Sequence, residues 1–404
     1  MWEKHKIGDL GNVIGGATPS TKDEDNYNGE IPWITPKDLS NHKNRYIERG
    51  ERSISQKGYR SCSSQIVPAG TVLFSSRAPI GYVAIAKNEL CTNQGFKSVV
   101  PNEKVDSMFL YYLLLYNRDM IASKGSGTTF KEVSGSVMRE IAVLVPSLSE
   151  QRAIATILSC LDDKIELNNK INANLEAQAQ AIFESWFVDF EPFRDGEFVD
   201  SELGPIPKGF ELRPLYDFAE YINGSAFTKD DYAMLGTPII KIAELKNGIT
   251  DSTQYCRVDK EQKYYIQNKE LLFSWSGNPE TSIDTFIWCG GVAILNQHIF
   301  RVIPYGNTYS FVYCLLRYFK PEFTRIASNK QTTGLGHVTI ADLKRLSFVY
   351  STKSIDEFCR LITPFTEMIY NNMSENSTLS ALRDILLPKL MSGEIEVPIE
   401  LQEV

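Results

Sequence analysis

Apolar residues recur every three or four positions across residues 147–187, near the middle of the chain. This spacing places them on one stripe of a single long helix. Ser147 and Glu150 stand three residues apart at its start, which is the pattern of a helix-capping box. With a rise of about 1.5 Å per residue the helix is about 60 Å long. A helix of this length predicts a rigid spacer that holds apart the parts of the protein at its two ends.

A second stripe with the same spacing starts near Ser354, where Ser354 and Glu357 repeat the capping pattern. Pro364 lies inside it and is expected to kink the helix or divide it after Thr363. Either stripe alone also fits an ordinary core helix, but two of them half a chain apart favour a pair of supporting helices. Asn168 and Asn371 lie at matching places near the seam, and we predict that they bond across the helices and fix their register, unless they are ordinary surface asparagines.

The segments that precede the two stripes share one order of elements. Each has short strand-like runs, an apolar helix, a loop rich in polar residues and a last strand. AGTVLFSSRA (69–78) corresponds to NKELLFSWSG (268–277), and GSGTTFKEV (125–133) corresponds to NKQTTGLGHV (329–338). The chain is therefore predicted to be a twofold repeat of a globular domain followed by a long helix.

We accordingly predict an α+β fold with pseudo-twofold repetition, in which two mixed α/β domains alternate with two long helices that pair as an antiparallel coiled coil. An acidic segment with Gly and Pro marks a linker after the first helix. The predicted boundaries are those of a first domain, a central helix, a linker, a second domain, and a distal helix with its tail: 1–146, 147–187, 188–207, 208–352 and 353–404.

The composition is that of an ordinary soluble protein, with 404 residues of which 43% are hydrophobic and 23% charged. No apolar run is long enough to cross a bilayer, and the first residues lack the hydrophobic region of a signal peptide. The seven cysteines contain no CxxC pair, which favours reduced thiols over zinc ligands or disulfides. These features predict a cytoplasmic, multi-domain protein without a metal or a membrane anchor.

The net charge of −8 at first argues against a nucleic-acid partner. Residues 1–146 nevertheless hold 18 basic and 15 acidic residues, and 201–352 hold 16 and 15. The acidic excess lies in 147–200, with 4 basic and 11 acidic residues, and in 353–404, with 4 and 9. The two domains are thus mildly basic, which is compatible with DNA contact.

Catalytic motifs of DNA-modifying enzymes are missing from the sequence. An adenine methyltransferase needs a DPPY or NPPY tetrapeptide and a Gly-rich cofactor turn, and neither is found. GSGT at 125–128 follows a helix and no strand, and there is no P-loop. Asp231, Glu244 and Lys246 form a weak nuclease candidate, because KIAELKNG fits a strand and turn better than a metal site.

Two long segments resemble the specificity (S) subunit of type I restriction-modification systems. They run from PSLSEQRAIATILSCLDDKIELNNKI through NANLEAQAQAIFESWFVDFEPFRDGEFVDSELGPIPKGF (146–210), and over LRDILLPKLMSGEIEV (382–397). The resemblance implies that both domains recognise DNA, each reading half of an asymmetric bipartite target, while the helices set the spacing and dock two modification (methyltransferase) subunits. It also implies that this chain has no active site or cofactor. S-adenosylmethionine, ATP and Mg are expected on partner modification and restriction (motor/nuclease) subunits.

Base contacts in the major groove call for basic and polar side chains on loops or strand ends. The two Thr-Thr loops are the favoured sites, because both domains keep a small polar segment there with a basic neighbour. The acidic residues Asp162, Asp163 and Glu166 are expected on exposed helix faces, where they would repel DNA or meet basic partner subunits. The DNA-binding candidates are Lys37, Arg45, Arg77, Thr128, Thr129 and Lys131 in the first domain and Lys241, Trp275, Lys330, Gln331, Thr332 and His337 in the second.

Two other interpretations are open at the level of the sequence. A self-sufficient enzyme would need catalytic residues hidden in the repeated domain, which the missing motifs disfavour. A coiled-coil scaffold would not need two mildly basic globular domains. A cofactor-binding assay separates the first alternative from a DNA-recognition subunit, and a sequence-selective DNA footprint separates the second.

Overall fold

The computed structural model describes residues 2–40, 42, 44–127, 131–331 and 335–398. By its internal contacts the chain divides into two compact units. The first unit comprises residues 1–167 and 376–404, and the second comprises residues 168–375. Each unit therefore holds one set of β-sheets together with one part of each long helix.

The two long helices are Leu148–Phe187, called here the central helix, and Thr352–Met391, called the distal helix. Both have 40 residues. Ser147 Oγ accepts a hydrogen bond from the backbone N of Glu150 at 3.4 Å and so caps the central helix. The Glu150 carboxylate does not complete the reciprocal box with Ser147; it accepts a bond from Trp2 Nε1 at 2.9 Å.

The distal helix begins earlier than the sequence pattern indicated. Ser351 Oγ accepts from the backbone N of Ser354 at 3.1 Å, so Ser351 is the cap. Pro364 does not divide the helix. A proline removes one backbone hydrogen bond, but the buried residues Ile362 and Ile369 anchor the helix on both sides of it.

The first unit contains a five-stranded sheet and a three-stranded sheet. The five-stranded sheet has the order Gly11–Gly15, Lys97–Pro101, Val72–Ser76, Ile80–Ala86 and Tyr46–Ile47, and the three-stranded sheet has the order Arg52–Ile54, Tyr27–Ile34 and Cys91–Thr92. Glu3–Lys6 pairs with Ala142–Val145 in an antiparallel ribbon. The helices are Ile7–Leu10, Pro36–Ser40, Gln56–Arg60, Ser107–Tyr116, Arg118–Ser123 and Gly135–Glu140, with a 3-10 turn at Glu24–Asn26.

The second unit repeats this plan with a four-stranded and a five-stranded sheet. Their orders are Ala219–Asn223, Ile299–Pro304, Leu271–Ser274, Asp284–Ile287, and Tyr232–Ala233, Tyr255–Cys256, Thr237–Ile240, Ala293–Leu295, Tyr265–Ile266. Two-stranded ribbons join Glu211–Pro214 to Ser347–Tyr350, Phe198–Val199 to Ile206–Pro207, and Ser276–Gly277 to Gly336–His337. The helices are Ile242–Asn247, Pro279–Ser282, Tyr309–Tyr318, Lys320–Asn329 and Ile340–Arg345, with 3-10 turns at Glu191–Phe193, Leu215–Phe218, Lys229–Asp231 and Gln262–Tyr264.

The same connections recur in both units, which confirms the predicted repeat. In each unit the first strand of one sheet pairs antiparallel with the strand that comes just before the apolar helix, and that strand pairs in turn with a buried strand. Gly11–Gly15, Lys97–Pro101 and Val72–Ser76 in the first unit correspond to Ala219–Asn223, Ile299–Pro304 and Leu271–Ser274 in the second. The apolar helices Ser107–Tyr116 and Tyr309–Tyr318 follow at the same place. The α+β class and the pseudo-twofold repetition are therefore both present.

The central and distal helices are antiparallel within each unit. In the first unit Leu158 shares a buried cluster with Leu390, and Asp162 bonds to Arg383 at 2.8 Å. In the second unit Asn168 bonds to Glu375 at 2.7 Å, and the ring of Phe187 meets that of Phe358 at 5.4 Å. Along both stretches the residue number rises on one helix as it falls on the other, as the coiled-coil prediction requires. In the described part of the chain no helix is long and apolar enough to span a membrane.

Candidate nucleic-acid interface

In the first unit Ser126 and Glu132 form an antiparallel bridge, in which they exchange backbone hydrogen bonds of 3.0 and 2.9 Å. Thr128 and Thr129, two of the predicted DNA contacts, lie outside the described residues. Lys131, next to Glu132, is exposed. The bridge is joined to the main sheet because the backbone N of Val133 donates to the carbonyl of Ser76 at 3.0 Å.

Glu132 lies between two cations beside this bridge. Lys97 Nζ stands 3.1 Å from its Oε1, and Arg77 Nη1 stands 3.6 Å from its Oε2. Lys97 is 14% exposed, whereas Arg77 and Glu132 are 34% and 37% exposed. Arg77, a predicted DNA contact, is thus on a partly open surface and held by a carboxylate, while Lys97 and Glu132 were not among the sequence candidates.

The second unit has an equivalent surface of different chemistry. The backbone N of Val338 donates to the carbonyl of Trp275 at 2.8 Å, the counterpart of the bond from Val133 to Ser76. His337 precedes Val338 as Glu132 precedes Val133, and both His337 and Trp275 are half-buried. Two aromatic rings, Trp275 and His337, therefore stand in the second unit where the first unit has the hydroxyl of Ser76 and the carboxylate of Glu132.

Trp275 is held in place from several sides. Its Nε1 donates to Asn223 Oδ1 at 3.0 Å, and its ring stacks on Phe300 with a centroid distance of 5.6 Å. The exposed His298 ring lies 5.7 Å from it. A half-buried indole fixed in this way offers its apolar ring face to a ligand, because its one N–H group already donates to Asn223.

Lys330 and Gln331 come just before the second Thr-Thr loop, in which Thr332 lies outside the described residues. Gln331 is exposed, whereas Lys330 forms an ion pair with Asp342. Asp342 also accepts from the backbone and hydroxyl of Thr339, and so caps the helix Ile340–Arg345. Burial opposes ionisation of Asp342, but the bonds from Lys330 and Thr339 prevail and lower its pKa.

Lys37 and Lys241 are surface residues with local partners. Lys37 is 77% exposed and pairs with Glu51 at 2.7 Å. Lys241 Nζ bonds to Gln254 and lies 5.3 Å above the ring of Tyr232. Exposed ion pairs of this kind contribute little to stability and exchange readily with other anions, including phosphate.

The prediction that Arg45 contacts DNA is wrong. It is 3% exposed, and its guanidinium pairs with Asp163 and, at 3.1 Å, with Glu166 on the central helix. Its backbone N also donates to Glu166 at 2.9 Å. A side chain enclosed this way ties the domain to the helix and has no access to a base edge.

The same contacts overturn the expectation of an exposed acidic face for Asp162 and Glu166, whereas Asp163 is 67% exposed as expected. Asp163 and Glu166 are occupied by Arg45, and Asp162 is buried between Tyr112 and Arg383. These three carboxylates therefore serve attachments inside the first unit. The sequence pattern could not predict these pairings, because the partners Arg45 and Arg383 lie far from residues 162–166 along the chain.

The asparagine prediction is half correct. Asn168 bonds across the helices to Glu375, as stated above, but Asn371 is exposed. The neighbouring Asn372 takes the seam position and donates to Asn172 Oδ1 at 2.8 Å. Adjacent helix positions differ by about 100° around the axis. A side chain one position before or after a residue in the helix–helix seam can therefore face solvent.

Comparison with known proteins places the chain in a family. Residues 1–177 and 207–350 match the family described as "Type I restriction modification DNA specificity domain", and the chain belongs to it. It is 39% identical to the type I restriction enzyme MjaIX specificity subunit of Methanocaldococcus jannaschii, over 98% of this chain and 94% of that one. It is 24% identical to the HindI specificity subunit of Haemophilus influenzae, over 98% of this chain and 99% of the other.

A solved structure shares the fold. The type I restriction-modification S subunit from M. genitalium superimposes with a TM-score of 0.57, covering 96% of both chains at 16% sequence identity. The resemblance inferred from the central and distal segments is thus confirmed.

Proposed function

We propose that this chain is the DNA sequence-specificity subunit of a type I restriction-modification complex, and that each of its two domains reads one half of an asymmetric bipartite target. The observation that carries the proposal is a pair of equivalent surfaces with unlike chemistry. Arg77 and Glu132 occupy the surface in the first unit, and Trp275 and His337 occupy it in the second. A shared backbone frame with different side chains is what two readers of different sequences require.

Binding would begin with phosphate contacts, which position a protein on DNA without reading its sequence. Lys37, Lys131 and Lys241 are suited to this role because they are at least partly exposed. Gln331 and His337 are better suited to base edges, where amide and imidazole groups discriminate between donors and acceptors, and the ring of Trp275 is suited to an apolar contact with a base. Thr128, Thr129 and Thr332 remain predicted contacts in the two loops.

The two long helices would fix the gap between the half-sites. Each is continuous over 40 residues, and their pairing is secured by side-chain bonds in both units. We propose that their length sets the number of base pairs in the gap, and that their outer faces dock two modification subunits. Restriction subunits would join through that complex.

The chain itself would perform no chemistry in this scheme. S-adenosylmethionine would be held by the modification subunits, and ATP and Mg by the restriction subunits, with the whole complex acting in the cytoplasm. The proposal rests on the sequence, which lacks the adenine-binding tetrapeptide and the phosphate-binding loop.

Genome-wide mapping of adenine methylation tests the proposal. Cells expressing this chain with its cognate methyltransferase are compared with cells expressing the methyltransferase alone. We expect an asymmetric bipartite motif with a fixed gap that is present only when both proteins are made. Soluble, associated proteins that yield no new methylated motif would refute the proposal.

A further inference from the structure

We propose that Arg77 and Glu132 together read a G·C base pair in the half-site of the first domain, through its major-groove edge. This inference rests on the function proposed above and deepens it by naming the reading residues and the base pair. Neither Glu132 nor its neighbour Lys97 stands out in the sequence, and only their spatial association with Arg77 suggests the role.

The two side chains match the chemistry of that base pair. In the major groove guanine offers two acceptors, N7 and O6, and cytosine offers the N4 amino donor beside them. A guanidinium donates to N7 and O6 of guanine, and a carboxylate accepts from the N4 amino group of cytosine. Arg77 Nη1 and Glu132 Oε2 are 3.6 Å apart, so a donor and an acceptor are presented side by side, as complements of the neighbouring O6 acceptor and N4 donor of a G·C pair. An A·T pair also has an acceptor at adenine N7, but the N6 amino donor and the O4 acceptor then follow in the opposite order to O6 and N4 of G·C.

Exposure and charge also fit a DNA-facing position. Arg77 and Glu132 are each about one-third exposed, so both can be reached from solvent. A carboxylate near DNA is ordinarily repelled by phosphate, but Lys97 Nζ lies 3.1 Å from Glu132 and is largely shielded from solvent. The three side chains together carry one net positive charge. Lys97 is thus a positioning residue that neutralises Glu132.

The backbone holds this arrangement ready before any ligand binds. Glu132 exchanges two hydrogen bonds with Ser126, and the next residue, Val133, donates to the carbonyl of Ser76 beside Arg77. Lys97 Nζ also lies 3.5 Å from Ser76 Oγ. Reading groups fixed in advance lose little conformational entropy when they bind.

The repeat within the chain argues against a purely structural role for Glu132. The second unit builds the same connection from Val338 to Trp275 with His337 in the equivalent place. The fold therefore does not depend on a carboxylate at this position. What differs between the units is the side-chain chemistry offered to the ligand.

The test uses the assembled methyltransferase complex and duplex oligonucleotides that carry the mapped target. Every base pair of both half-sites is replaced in turn by the other three, and methylation rates are measured for the wild-type chain and for Glu132→Gln. The wild type should require G·C at one position of the first domain's half-site. Glu132→Gln should reduce that preference about 10- to 100-fold, the range for loss of a good base contact, and leave the other half-site and the gap unchanged. His337→Gln is the matched control, because it should change only the half-site of the second domain.

Arg77→Lys is a second variant that leaves the Lys97–Glu132 pair in place. It tests the proposed reading of the G·C pair if the complex with Glu132→Gln does not assemble. Lysine is a point charge without the fork of arginine, so the same base pair should lose its guanine preference. A uniform loss of rate across all substituted targets, with every base preference retained, would overturn the inference and leave Glu132 as a structural brace. Sensitivity centred on an A·T pair would overturn it equally. A wild-type complex that methylates no specific sequence would instead refute the proposed function itself.

Discussion

Tyr112 donates a buried hydrogen bond of 2.6 Å to Asp162, although 50 positions separate the two residues in sequence. Arg383 Nη1 donates to the other oxygen of the same carboxylate at 2.8 Å. Asp162 is 6% exposed. One carboxylate therefore joins the apolar helix of the first domain to both the central and the distal helix, at a place where its charge is fully compensated.

Asp162→Ala should lower the free energy of unfolding by about 3 kcal/mol, because the buried Tyr112 hydroxyl and the Arg383 guanidinium, whose side chain is 25% exposed, lose their partner together. Urea denaturation followed by circular dichroism measures this change. Asp384→Ala is the control, since Asp384 contacts the same Arg383 but is 65% exposed, and should cost less than about 1 kcal/mol. Equal effects of the two substitutions would show that burial does not govern this contact.

The Arg45–Glu166 pair should show strong energetic coupling. Their side chains are 4% and 14% exposed, so Glu166→Gln leaves Arg45 buried beside a weaker acceptor, whereas Arg45→Met with Glu166→Gln removes the buried cation as well. A double-mutant cycle in urea should give a coupling energy above about 1 kcal/mol. The exposed pair of Lys37 and Glu51 should give less than about 0.5 kcal/mol. Coupling of similar size in both pairs would contradict the assignment of Arg45 as an anchor.

Truncation of Asn172 should destabilise the protein, whereas truncation of Asn371 should have almost no effect on its stability. Asn172 is 8% exposed, accepts from Asn372 and donates to the carbonyl of Ile369 at 3.3 Å. Asn172→Ala should therefore cost about 1 to 2 kcal/mol and increase amide hydrogen exchange in the adjoining turns of the distal helix. Asn371→Ala, on the exposed side, should stay within about 0.5 kcal/mol. A larger effect at Asn371 would restore the original seam assignment.

Asp231 should make the second unit sensitive to acid. Lys260 Nζ lies 2.8 Å from its carboxylate and the backbone N of Thr228 donates to it at 2.7 Å, and these bonds lower its pKa to about 2. The unfolded value is about 3.9. Because the folded pKa is the lower one, the stabilisation is complete above about pH 4 and is lost as the pH falls towards 2.

Thermal denaturation of wild type and Asp231→Asn across pH measures that contribution. The difference in melting temperature should be constant from pH 7 to 5 and should shrink between about pH 4 and 2. Asp230→Asn, which removes an exposed carboxylate next in sequence, serves as the control for a simple change in net charge. A difference that already shrinks between pH 7 and 5 would contradict the lowered pKa.

Local patterns were sufficient to predict the two long helices, the apolar helix of each domain and the repeat, but KIAELKNG forms the helix Ile242–Asn247 where a strand and turn were expected. Periodicity and capping are properties of neighbouring residues, and both long helices end within a few residues of the expected positions. The pairing of Arg45 with Asp163 and Glu166 could not be predicted in this way, because burial depended on contacts between distant segments. Loop chemistry identified Arg77 and His337 as candidates, but recognition of Glu132 required the spatial proximity of Lys97.

Exchange of the first domain tests the central claim most directly. Residues 1–146 are replaced by the corresponding segment of a relative whose methylated motif differs in both halves, and adenine methylation is mapped with the original methyltransferase. The account predicts that one half of the bipartite motif becomes that of the donor, while the other half and the gap stay unchanged. A change in both halves, or an assembled and active complex that keeps the original motif, would contradict it.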